Sequence, residues 1–153
     1  MSRIDPAVKF GIRGGGTKTV AQRFSLAAGV TYMTVGVVGF FVTGFSNITE
    51  MTDHKILGIF MLNPYHNIVH IAIGALWLLG ALALTAPATE GLNFAIAGVY
   101  LLATVLGWFG YLSLLSIPSG PDPDQFLHLV TAVATLVFGC GLLRATSGQT
   151  VTA

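Results

Sequence analysis

Residues 63–84 read Asn-Pro-Tyr-His-Asn-Ile-Val-His-Ile-Ala-Ile-Gly-Ala-Leu-Trp-Leu-Leu-Gly-Ala-Leu-Ala-Leu, or NPYHNIVHIAIGALWLLGALAL. The stretch opens with a helix cap and a proline suited to the first helical turn. It then runs to its end without a charge, long enough to cross a bilayer core, which takes about 20 mainly apolar residues. Two of the chain's four histidines, His66 and His70, stand one helical turn apart at its mouth.

The same pattern extends outward over most of the 153 residues. Asp, Glu, Lys and Arg are absent from residues 24–49, 56–89, 91–121 and 125–143. Each of these runs has room for one crossing. Only 8% of the chain is charged and 54% is hydrophobic, whereas a soluble domain carries about 25% charged residues. The expected fold is all-α, an integral membrane four-helix bundle. Helices are expected over about 24–45, from 63–64 to near 87, over 92–116, and from 123–124 to about 145. Strands are not expected, because open sheet edges cannot be satisfied in lipid.

Three regions follow: a basic N-terminal arm (1–23), a four-helix membrane domain (24–146) and a short tail (147–153). The arm lacks the apolar core of a signal peptide. Five of the seven Lys and Arg precede the first helix and Arg144 closes the fourth. The positive-inside rule then puts both termini in the cytoplasm and the two longer loops outside. The expected location is the bacterial plasma membrane, multi-pass. With a net charge of +1, nucleic acid is not an expected partner. In the first outer loop, residues 51–60 pass from polar to apolar and read as a segment lying on the membrane surface, with His54 a solvated loop residue. The lone Cys140 reads as a small apolar side chain.

Setting residues 64–71 (PYHNIVHI) beneath 122–129 (DPDQFLHL) reveals a repeat. His66 falls against Asp124, Asn67 against Gln125, and His70 against His128. Each segment opens an even-numbered helix on the outer side, so the chain reads as two in-line helical hairpins, one a diverged copy of the other. His66, His70, Asp124 and His128 are thereby expected to gather in the outer leaflet, with Asn67 and Gln125 beside them.

The Asn63-Pro64-x-His66-Asn67-x-x-His70 motif resembles the signature of a four-helix bacterial membrane family, domain of unknown function 4383, common in actinobacteria. An Asp-Asn-x-x-His element of that family corresponds to Asp124-Gln125-Phe126-Leu127-His128, with Gln125 in place of Asn. The resemblance implies the fold and no activity.

Three chemistries suit the cluster. The plainest is an interhelical clamp, a histidine of helix 2 bonded to Asp124 or Gln125, with Asn67 and Gln125 joining through their amides. The second is a cofactor site in which His70 and His128, on facing helices, hold haem b or a quinone. The third is a transition-metal site built from His66, His70, Asp124 and His128. No nucleophile motif surrounds any serine, and Gly14–Gly16 lacks the features of a phosphate loop. Catalysis is therefore not expected. The leading expectation is an accessory subunit of a larger respiratory or photosynthetic membrane complex. It would dock on other subunits through its apolar helices and arm 1–23, with the histidine cluster as the clamp and no cofactor required. The rivals are a small redox protein and a metal-binding membrane protein. Gly36 and Gly39 on helix 1, and Thr131, Thr135 and Gly139 on helix 4, read as sites of close helix packing.

Overall fold

Helices start where a short polar side chain can take up their free amides. Thr19 and Gln22 form a reciprocal capping box for α1 (Val20–Thr43). Asn63 caps α2 (Pro64–Leu82) by accepting from the His66 amide, and Asp122 caps α4 (Pro123–Ala134) by accepting from that of Asp124. Between these lies α3 (Ala86–Trp108), with a proline in its first turn. The computed structural model describes residues 11–13 and 16–143. The expected tail 147–153, Arg144 and residues 1–10 of the arm lie outside them.

Three of the helices, α1, α2 and α3, are long and apolar enough to cross a membrane. The fourth is 12 residues of α-helix continued by a π turn at Thr135–Gly139. The expected four helices are present, with different ends. Expected to stop near residue 87, α2 stops at Leu82, and α3 begins at Ala86 rather than near 92. The cause is a strap: Arg13 N donates to Ala83 O and Thr85 N donates to Gly11 O, pinning the connection in extended form. At its far end α3 stops at Trp108, not near 116. Gly110 follows with φ of +80°, and a 3-10 turn at Ser113–Leu115 completes the loop.

Strands are found after all. The loop between α1 and α2 contains an antiparallel hairpin, β1 (Lys55–Ile56) with β2 (Phe60–Met61). The expectation failed because the argument against sheet edges holds only inside hydrocarbon, and this hairpin lies in a loop. Leu57 and Gly58 turn it with φ of +54° and +74°. His54 is exposed, as read.

Packing follows the small residues. A Cβ on Gly29 would come within 3.0 Å of the backbone of α2, and one on Gly36 within 2.7 Å of Asn67 O. On the other helix, a Cβ at Gly74 would lie 2.7 Å from Met33 N. The α1 and α2 backbones therefore touch along their length, as small-residue helix pairs do. Gly107 and Gly139 play the same part between α3 and the α4 segment, against Gln125 and Asn93. The two hairpins are then tied together by side chains. Asn93 Nδ2 donates to Ser25 Oγ across the halves and to Gly139 O within the second, and Tyr32 and Thr131 share a 2.7 Å hydroxyl bond across them.

Candidate functional site

The repeat suspected from one octapeptide runs through all four helices. On α1 and α3, Ser25, Tyr32 and Gly39 share their spacing with Asn93, Tyr100 and Gly107. The contacts repeat as well. Gly39 packs on Asn67 and Gly107 on Gln125. Tyr32 lies against His70 with ring centres 5.1 Å apart at 60°, and Tyr100 against His128 at 5.4 Å and 58°. Ser25 and Asn93, equivalent to each other, hydrogen-bond where the two halves meet.

The histidines gather as the repeat predicts. His66 lies edge to face with His70 at 4.6 Å and faces His128 across the helices at 6.4 Å. His66, His128 and Asp124 are buried at 3%, 6% and 2% exposure. Asn67 and Gln125 do not join each other. Asn67 donates to Thr43 Oγ1 and Gln125 to Pro118 O, so each amide serves its own half of the molecule. Among the described residues no hydrogen bond links a histidine of α2 to Asp124 or Gln125. The bonds that tie the hairpins include Ser25–Asn93 and Tyr32–Thr131 among the helices, and Asn63 Nδ2 to Leu114 O and Thr52–Ser116 between the loops.

Four buried polar atoms at this end are left without a hydrogen-bond partner: Nδ1 of His66, Nδ1 of His128, Oδ2 of Asp124 and Oε1 of Gln125. A group in that state costs several kcal/mol in hydrocarbon, and native proteins keep few of them. Beside them lies a cavity of about 210 Å³ between α2 and α3. His66, His70, His128 and Tyr100 face it, and its remaining walls are aliphatic, from Val69 and Ile73 on one side to Ala103 and Leu106 on the other. Behind Tyr100, outside the cavity lining, Trp77 stacks on the tyrosine at 5.9 Å with planes 9° apart. Val99 and Leu102, each more than half exposed, form the mouth.

Among the described residues, no three His, Cys, Asp or Glu side chains are grouped as a metal-ligand set. The imidazoles meet one another and the tyrosines ring to ring. For scale, an apolar cavity of about 150 Å³ holds a benzene, so this one has room for a substituted ring and not for a porphyrin.

Sequence reasoning singled out the histidines and missed Tyr32, Tyr100 and Trp77. The signal was the tyrosine-to-glycine spacing shared by the first and third helices.

The molecule is thus a membrane protein of four helices in two related halves, with a histidine-lined cleft between α2 and α3. It belongs to the family whose model, described as Domain of unknown function (DUF4383), matches residues 22–141. No curated protein and no solved structure matches the chain.

Proposed function

We propose that the protein is a non-catalytic, four-crossing protein of the bacterial plasma membrane, both termini cytoplasmic, that holds a lipid-soluble small molecule in the cleft between α2 and α3. One observation carries the reading: an apolar cavity of ligand size, walled by aliphatic side chains, Tyr100 and the rings of His66, His70 and His128. Ligand pockets of this composition, apolar walls with a few convergent polar groups, are the usual form for small-molecule sites. Intramembrane ionisable residues are functional candidates by default.

The clamp reading has less to explain. The hairpins are already tied by the Ser25–Asn93, Tyr32–Thr131 and Asn63–Leu114 bonds, so the histidines are not needed for that purpose. Docking of the N-terminal arm on another subunit also loses part of its basis, because Gly11 and Arg13 are bonded to the chain's own α2–α3 connection.

The test is to purify the protein in mild detergent beside a His70→Ala/His128→Ala variant and analyse the organic extract of each by mass spectrometry. A lipid-soluble compound near one per chain, lost from a variant with unchanged circular dichroism, is the expected result. An extract without such a compound, or one retained by the variant, overturns the proposal.

A further inference from the structure

Gly29 of α1 packs on Gly74 and Leu78 of α2, and Gly36 on Asn67 and Ile71, so the two helices run antiparallel. The start of α1 therefore lies at the end of the bundle away from the histidines. There the sequence Lys18-Thr19-Val20-Ala21-Gln22-Arg23 sets a cation on either side of the helix cap. The cap itself is satisfied, since Thr19 and Gln22 accept from each other's backbone amides and Gln22 Nε2 donates to Leu84 O. That bond and the strap at Gly11–Arg13 hold the start of α1 to the α2–α3 connection. Lys18 and Arg23 take no part in this. Among the described residues, neither side chain makes a hydrogen bond or an ion pair.

Both cations line a cavity of about 330 Å³. Its far wall comes from Glu90 of α3 and from the chain beyond the π turn, where Gly141 turns with φ of +77°. A Cβ on Gly141 would stand 2.7 Å from Cδ of Glu90, so glycine leaves the room that the carboxylate occupies. The rest of the cavity is largely apolar, and Val20, Phe138 and Leu143 expose that part on the outside of the bundle. We infer that this cavity binds the phosphodiester headgroup of an anionic phospholipid, with an acyl chain leaving over Phe138. Two cations against one carboxylate favour a negatively charged occupant. Arginine offers phosphate oxygens a planar fork of donors and lysine a compact charge, and the Thr17 hydroxyl adds a further donor. A soluble anion uses the polar half and leaves the apolar half bare, whereas a phospholipid covers both. The topology proposed above puts this end in the cytoplasm, where basic pockets between helices bind anionic headgroups. The site is separate from the cleft between α2 and α3, which no Lys or Arg lines.

The experiment titrates the full chain, delipidated in mild detergent, with phosphatidylglycerol and counts bound lipid by native mass spectrometry. One saturable adduct per chain is expected. Lys18→Gln and Arg23→Gln each weaken it roughly fivefold and the double variant roughly 25-fold, at about 1 kcal/mol per cation. Lys55→Gln, which removes a cation from the loop hairpin instead, leaves binding unchanged. Phosphatidylcholine, which lacks the net charge, and glycerophosphoglycerol, the same headgroup without acyl chains, bind far more weakly than phosphatidylglycerol. Equal binding of phosphatidylglycerol by wild type and the double variant overturns the site. Equal binding of phosphatidylcholine overturns its selection of an anion. Equal binding of glycerophosphoglycerol marks a site for soluble phosphodiesters and overturns the lipid assignment.

Discussion

Replacing Gly39 by alanine tests the register on which both halves of the site depend. A Cβ at this position would sit 2.0 Å from Oδ1 of Asn67, 2.6 Å from its Cγ and 3.0 Å from its Nδ2. Ordinary contact begins at 3.4 Å, so about 1.4 Å of relief is required. Asn67 is 1% exposed and bonded to Thr43 Oγ1 at 2.9 Å, which leaves two ways to find it. The amide can rotate away, leaving a buried amide and a hydroxyl unpaired at a cost of about 1–3 kcal/mol. Otherwise α1 lifts from α2, and overpacking of this kind costs about 1–3 kcal/mol while loosening the contact at Gly36. Either route predicts a loss of about 1–3 kcal/mol. The equivalent Gly107→Ala meets Gln125 Cγ at 3.0 Å, which a few tenths of an ångström relieve, and is expected to cost under about 1 kcal/mol. Gly98→Ala in α3 meets nothing within 4 Å and should be neutral or stabilising, since alanine favours helix over glycine by about 1 kcal/mol. Unfolding in mixed micelles with increasing dodecyl sulfate measures all three. A Gly39→Ala protein no less stable than Gly107→Ala would refute the packing register and the repeat built on it.

Asn93→Ala removes the residue that joins the two halves to the π turn, leaving Ser25 Oγ and Gly139 O without their bonds. It is expected to cost about 2 kcal/mol in the same assay, and a loss below about 0.5 kcal/mol would show that the halves are held elsewhere. Leu57 adopts φ of +54°, a conformation that costs a non-glycine residue about 1–2 kcal/mol. Leu57→Gly should slow hydrogen exchange at the Ile59 amide, which is bonded to Ile56 O, and unchanged or faster exchange would count against that turn.

The helices were legible because charge-free length and capping residues are local properties, read one segment at a time. Their ends were less so. Thr85 and Pro87 are good start signals for α3, yet Pro87 was read as the end of α2, because a proline marks both. The strap from Gly11 to Arg13 decides between the readings, and a pairing so distant along the chain leaves no trace in local pattern. The hairpin was missed for a similar reason. Two ladder residues on each side are too few to show alternation, and its turn places Leu57 where asparagine or glycine would have announced it.

The histidine cluster was legible in position and not in contact. His66, His70 and His128 lie where helix spacing and the repeat put them. Their ring partners come from the odd-numbered helices, and tyrosines in an apolar run look like any other large side chain. Once the two halves are superposed in mind, Tyr32 and Tyr100 become the most informative pair in the chain, because what differs around them separates a sealed seam from an open one. A duplicated hairpin begins with two equivalent seams. Retaining a threonine at 131 seals one by a hydroxyl bond. An isoleucine at 73, with histidines at both 66 and 70 where the other half has Asp124 and His128, lines the second seam with aliphatic side chains and imidazole rings around a cavity. That combination serves poorly as glue and well as a binding site, since apolar walls with a few polar side chains among them are the usual form of a small-molecule pocket.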